Sequence, residues 1–291
     1  MFKHRRTKNR RVGIAVVGAT GVALAAGLAA TATAAPGDKA GTAEPAAAKP
    51  TVVLVHGAWA DSSSWSGVIK RLQADGYPVV APANPLRGLT SDSAYLADYL
   101  KTVHGPVVLV GHSYGGSVIT NAATGNTHVK ALVYIAAFAP DKDETLASIT
   151  AEFPGSHLSD DPAAPVPTAL NAVPFAQPDG GTGIDLTIKP DKYRDVFLSN
   201  RLSRTTAAQL AVSQRPIAAQ AFGEPSGPPA WKTIPSWYLV AHDDHAIPPA
   251  AERFMASRAH AHTVEINAPH AVPLTDPGAV TRLVERAATA R

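Results

Sequence analysis

The sequence predicts an α/β domain: a mostly parallel sheet of about six strands, helices on both faces, and a helical or irregular cap inserted between two sheet strands. Three observations carry that expectation. Continuous β-branched and apolar runs, at residues 51–55 and 106–110, have the composition of strands buried on both faces. These runs alternate with segments of helical period, an order that implies parallel pairing through right-handed crossovers. Residues 141–233 break the alternation with Pro- and Gly-rich stretches, the run Asp161-Pro162-Ala163-Ala164-Pro165-Val166-Pro167 among them, and so read as a cap folded over the sheet's carboxyl edge.

Taken in order, residues 51–55 are the first strand. Ser64 then caps a helix in which Trp65, Val68, Ile69 and Leu72 recur at helical spacing. Residues 77–81 form a short strand, and residues 91–103 a helix with Tyr95, Leu96, Tyr99 and Leu100 on one stripe. The strand at 106–110 runs into a helix over 115–124, and 129–136 is the next strand. Within the cap the one clear amphipathic helix lies near 207–222. Strands at 236–241 and 263–266 follow, with a helix over 249–259 between them. A C-terminal helix is capped by Asp276, with Pro277 at its first position.

The N-terminus has a different character. Residues 1–34 carry Lys3, Arg5, Arg6, Lys8, Arg10 and Arg11 and no acid, followed by an apolar run and the small residues Ala32-Thr33-Ala34. That is the order of a secretory signal peptide, with cleavage expected after Ala34 or one residue later. Arg10-Arg11 admits twin-arginine export, and the apolar run is long enough to serve as an uncleaved anchor instead. Residues 35–50, rich in Ala, Pro and Gly, read as a flexible linker, which leaves 51–291 as the folded domain. The whole chain of 291 residues has a formal charge of +3, but without the signal 20 basic residues face 23 acidic ones, a net of −3. A nucleic-acid partner therefore has no electrostatic basis, and membrane contact is expected only during export. No cysteine is present, which excludes a disulfide scaffold and a thiol nucleophile. The turn-like run Gly18-Ala19-Thr20-Gly21, with Asp38 twenty residues past Gly18, lacks the strand and helix that a dinucleotide-binding fingerprint needs.

The chemistry concentrates at strand ends, where sites form in such sheets. The strand at 106–110 ends in Gly111-His112-Ser113-Tyr114-Gly115-Gly116. Gly-x-Ser-x-Gly between a buried strand and a helix is a nucleophile elbow, which makes Ser113 the candidate nucleophile. A serine needs a base, and the base an orienting acid. His242-Asp243-Asp244-His245 follows the strand at 236–241, and Asn267-Ala268-Pro269-His270 follows the last strand. The acid slot and the base slot are thus both filled, with Asp243 and Asp244 as rivals for the first. The cluster 242–245 also has the composition of a metal-ligand set, but adjacent loop side chains diverge. His56 and His112 read as structural hydrogen-bonders, and His260 and His262 as surface residues. Trp59, Trp65 and Trp231 read as core, with lining of an acyl pocket as the alternative.

Val55-His56-Gly57-Ala58, the elbow, Asp244 with Pro248 four residues on, and His270 together resemble the α/β-hydrolase superfamily. Within it the chain is similar to single-domain serine esterases related to plant methylesterases and hydroxynitrile lyases, from about residue 51 to the C-terminus. The resemblance implies that Ser113, Asp244 and His270 form a triad and that the backbone N–H groups of Ala58 and Tyr114 form an oxyanion hole. It implies a serine hydrolase that cleaves small carboxylic esters through an acyl-enzyme, with no metal or organic cofactor, and the N-terminal signal makes the expected enzyme a secreted one. Ala271 stands where the lyases place Lys and the plant methylesterases usually place Met, which disfavours a lyase and weakens a methyl-ester assignment. A ligand receptor without catalysis is the alternative from another functional class.

Overall fold

The computed structural model describes residues 48–290 except 162 and 179. The expected export signal and all but the end of the linker lie outside the described residues. The elements are β1 (Thr51–Val55), α1 (Ser66–Ala74), β2 (Val79–Val80), α2 (Leu89–Leu100), β3 (Val107–Ser113), α3 (Tyr114–Ala122) and β4 (Val129–Ala137). The inserted cap holds α4 (Leu146–Glu152), β5 (Leu170–Ala176), β6 (Thr182–Ile188), α5 (Pro190–Val196), α6 (Arg204–Val212), β7 (Ile217–Ala218) and α7 (Gln220–Gly223). The chain closes with β8 (Ser236–Ala241), α8 (Pro249–Arg258), β9 (His262–Ile266), α9 (Val272–Thr275) and α10 (Pro277–Thr289).

Six strands pair in the order β2-β1-β3-β4-β8-β9, every pair parallel. The pleat sends alternate side chains to two separate cores. Val52, Leu54, Val108 and Val110 pack with Val68 and Leu72 of α1 and with Val280, Leu283 and Val284 of α10. Val53, Val55 and Leu109 pack on the other face with Leu96 of α2, Val118 of α3 and Met255 of α8. Burial on both faces is why β1 and β3 are written as unbroken apolar runs. The cap covers the carboxyl edge: Arg215 O accepts from Trp59 N at 3.1 Å, and Leu86 O from Ala218 N at 2.9 Å.

Several local expectations change. The first helix is preceded by a 3₁₀ turn over Ser62–Trp65 whose cap is Asp61, not Ser64. The Asp61 carboxylate reaches Ser63 N at 2.7 Å, while the Ser64 hydroxyl donates back to Asp61 O at 2.6 Å. The helix α2 starts at Leu89 because Glu224 of the cap accepts from Thr90 N at 2.8 Å and so satisfies an orphan N–H of the first turn. Its buried stripe is then Leu89, Asp92, Ser93, Leu96 and Leu100, which leaves Tyr95 45% exposed. The Asp276 side chain makes no capping bond to α10. The stretch 207–222 is not one helix: Pro216 has no N–H to donate and bars its predecessor from helical backbone, so α6 stops at Val212 and β7 and α7 follow. The cap also holds an antiparallel sheet, β5-β6-β7, that no sequence signal announced. Pro174 lies inside β5, which tolerates it as an edge strand with one unpaired side.

Candidate active site

The pairing of β3 runs on through Gly111 and His112 to Ser113, and α3 begins at the next residue. Ser113 has φ 54° and ψ −125°, a conformation that a β-carbon resists and the surroundings must impose. Two glycines permit the close approach. A β-carbon at Gly115 would lie 2.4 Å from Val55 O, and one at Gly57 would lie 2.6 Å from the Ser113 β-carbon. The α3 N-terminus and the loop after β1 therefore meet around the Ser113 side chain.

Three side chains converge there from the carboxyl ends of β3, β8 and β9. His270 Nε2 lies 2.9 Å from Ser113 Oγ, and His270 Nδ1 lies 2.5 Å from Asp244 Oδ2. All three residues are buried, with Ser113 at 4% exposure. Since a carboxylate accepts, the network assigns the Nδ1–H tautomer, which leaves Nε2 to accept the Ser113 hydroxyl. The other Asp244 oxygen accepts from Ala246 N at 2.7 Å and Ile247 N at 2.8 Å, so the carboxyl cannot rotate freely.

Asp243 points elsewhere: its carboxylate pairs with Arg201 at 3.0 Å. His242 is exposed, and His245 turns toward Asp195 in α5. The four adjacent residues thus diverge and make no common ligand set. His260 and His262 are exposed.

Tyr114 and Ala58 line one pocket with Ser113. The Tyr114 phenol is directed away, donating to the buried Asp92 carboxylate at 2.8 Å, and burial raises its pKa. Its backbone N–H is at the first position of α3, where no intrahelical acceptor exists. His56 shapes the loop that carries Ala58. Its Nε2 accepts from Asn84 N at 3.0 Å, its Nδ1 donates to Gly57 O at 2.9 Å, and burial lowers its pKa so that the ring stays neutral. His112 donates from Nε2 to His270 O at 2.9 Å, and burial followed by the His270 ring holds its pKa well below the ordinary histidine value.

The pocket beside Ser113 has an empty volume of about 320 Å³, including open solvent, and no charged side chain lines it. Leu146 and Leu158 from the cap, Phe222 of α7, and Ile247 supply its apolar wall. Of Trp59, Trp65 and Trp231, only Trp59 lines it. Trp59 has φ 60° and donates from Nε1 to Leu186 O at 3.1 Å, which ties the loop to β6. A second pocket, on Trp59 and Tyr193, does not include Ser113 among its walls. Trp65 packs in the α1–α10 core, and Trp231 donates to Pro140 O at 3.0 Å.

Sequence reasoning missed two residues that touch this constellation. Phe197, just after α5, sets its ring edge-on to His270 at 5.1 Å, and its carbonyl accepts from Ala271 N at 3.1 Å. Glu252 on α8 is fully buried, and its Oε2 accepts from Ala241 N at 3.0 Å. Its Oε1 has no hydrogen-bond partner of ordinary geometry. Burial, and then the neighbouring Asp244 carboxylate, push the Glu252 pKa well above the ordinary glutamate range. The native state therefore holds the Glu252 proton to higher pH than the unfolded chain does. The stability this group contributes is fully present below the ordinary glutamate pKa and declines as pH rises toward the folded value. Glu252→Gln keeps the shape and removes the titration. It is expected to raise Tm relative to the parent at about pH 8 and to lose that advantage at about pH 4, read by thermal denaturation. A Tm difference independent of pH would refute the raised pKa of Glu252.

The sequence model of the alpha/beta hydrolase family matches residues 52–283. An alpha/beta hydrolase of Aspergillus novofumigatus, nvfD, is 26% identical over 264 residues, covering 82% of this chain and 97% of that protein. A pyrethroid hydrolase of Sphingobium wenxiniae is 28% identical over 227 residues, covering 70% and 74%. The crystal structure of polyneuridine aldehyde esterase superposes with a TM-score of 0.66 at 19% identity, covering 81% of this chain and 98% of that one, a likeness of fold.

Proposed function

This chain belongs to the alpha/beta hydrolase family and is a hydrolase, and from that premise we propose that it cleaves small, apolar carboxylic esters with Ser113 as nucleophile. One observation carries the reading: the buried hydrogen-bonded series from Ser113 Oγ through His270 to Asp244. His270 Nε2 takes the hydroxyl proton as Oγ attacks the ester carbonyl, and Asp244 holds the ring in the tautomer that permits it. The N–H groups of Ala58 and Tyr114 stabilise the tetrahedral oxyanion, where one such donor is worth roughly 3–4 kcal/mol. Collapse breaks the ester C–O bond, and His270 returns the proton to the departing alcohol. Water then attacks the acyl-enzyme, again giving its proton to His270, and the acid leaves as Ser113 is regenerated. No step calls for a metal or an organic cofactor. The uncharged pocket wall supports an apolar substrate, and relatives bearing hydrolase and esterase names support the reaction class.

Export belongs to the same proposal. The basic, apolar and small-residue order of residues 1–34 supports a cleaved signal, and among the described residues no helix is long and apolar enough to cross a membrane. The test is to express the full chain and collect protein from the medium. Its N-terminus is expected at Ala35 or one residue later. It should hydrolyse p-nitrophenyl butyrate and take up one equivalent of a serine-directed phosphonate, located on Ser113 by mass spectrometry. Protein that neither turns over the ester nor binds the phosphonate would sink the catalytic reading.

A further inference from the structure

Three side chains from three segments converge beside the loop that carries Asp244. His157, between α4 and β5, places Nδ1 2.8 Å from Asp195 Oδ2, and His245 places Nδ1 3.1 Å from Asp195 Oδ1. One ligand atom from each of the three lies within 4.8 Å of the others. The two rings stack with centroids 3.9 Å apart and 31° between their planes, so both Nδ1 atoms address the same carboxylate. The backbone ties the segments as well: His157 N donates to His245 O at 2.7 Å. Asn200 donates to Asp195 Oδ1 at 3.2 Å, which helps to orient the carboxylate.

We propose that His157, Asp195 and His245 form a binding site for a divalent transition metal, with Zn²⁺ the best-suited ion, that staples the cap to the loop after β8. Two imidazoles and one carboxylate suit Zn²⁺ and its first-row neighbours, whereas Mg²⁺ and Ca²⁺ favour sites built from oxygen alone. In a tetrahedral site with bonds of about 2.0–2.1 Å, neighbouring ligand atoms stand about 3.3 Å apart. The 2.8 and 3.1 Å contacts run to different oxygens of Asp195, and with one ligand atom from each residue the separations reach up to 4.8 Å, so the site closes on an ion by side-chain shifts of up to about 1.5 Å. His157 is 46% exposed and Asp195 41%, so they can make that shift, and solvent can reach the open coordination position. When Nδ1 of a neutral ring binds a metal, its proton is carried on Nε2. His245 Nε2 stands 3.7 Å from Asp243 Oδ1, just beyond hydrogen-bond range, and a small turn of the ring on binding the ion would bring that N–H to the carboxylate as in the outer partners of zinc-bound histidines. Asp243, turned away from His270 and paired with Arg201, would then orient that ring. The site is independent of the ester-hydrolase reading, since no step of that mechanism passes through it.

The test uses tag-free protein stripped with a chelator and titrated with ZnCl₂ by calorimetry and thermal denaturation. One Zn²⁺ per chain is expected, with Tm raised by about 5–10 °C at ~100-fold excess over Kd. His157→Ala and Asp195→Asn should each remove both the binding isotherm and the Tm shift, and MgCl₂ should produce neither. Ester turnover measured in parallel should persist in the stripped protein and in His157→Ala, which separates failure of this site from failure of the catalytic assignment. Absence of saturable one-to-one binding would overturn the proposal, leaving a carboxylate that bridges two imidazoles by hydrogen bonds alone. Binding that survives both substitutions, or a shift equalled by Mg²⁺, would overturn it as well.

Discussion

Replacing Ser113 with Ala is expected to lower kcat for p-nitrophenyl butyrate by about 10⁴–10⁶-fold, the scale of nucleophile removal in serine hydrolases. The substitution deletes one buried oxygen whose described hydrogen bond is to His270 Nε2. It keeps the β-carbon, so the backbone at φ 54° is no more strained than before. The fold should survive, and Tm should move by no more than a few degrees. Residual turnover would come from the backbone donors at Ala58 and Tyr114 acting on a water-attacked ester. Steady-state kinetics on the variant, with circular dichroism to establish folding, makes the measurement. A folded Ser113→Ala enzyme within tenfold of the parent would remove the assignment.

The second large effect separates two neighbouring carboxylates. Asp244→Asn should cost about 10⁴-fold in kcat, whereas Asp243→Asn should remain within about threefold of the parent. At position 244 the oxygen that accepts from Ala246 N and Ile247 N has to remain an acceptor. The introduced amide nitrogen is thereby forced toward His270 Nδ1. That ring nitrogen must then accept, its proton moves to Nε2, and Nε2 can no longer receive the Ser113 hydroxyl proton. At position 243 the loss is a partly exposed pair with Arg201, of the kind worth under about 1 kcal/mol. Parallel kinetics on the two variants decides the matter; reversed magnitudes would transfer the acid role to Asp243.

Much of this was legible before any coordinates. The strands announced themselves because burial on both faces demands continuous apolar runs, and the elbow because its glycines answer a steric requirement confined to a few neighbouring residues. The cap was not legible. Its antiparallel sheet runs an exposed strand through Pro174, so neither alternation nor β-propensity marks it. The cap of α2 came from Glu224, more than a hundred residues away, and no local signal encodes a partner at that distance.

By itself, the sequence determined the sheet, the turn that presents Ser113, and the strand ends at which an acid and a histidine had to be sought. The tertiary structure alone decided which of two adjacent aspartates touches His270, that Glu252 is buried behind it with its pKa pushed up, and that His157 meets His245 across Asp195. The division has a physical cause. Backbone sterics and burial period act over a few residues and leave their mark in the local pattern. The direction of a loop side chain, and the company it keeps, depend on segments that only the folded chain brings together.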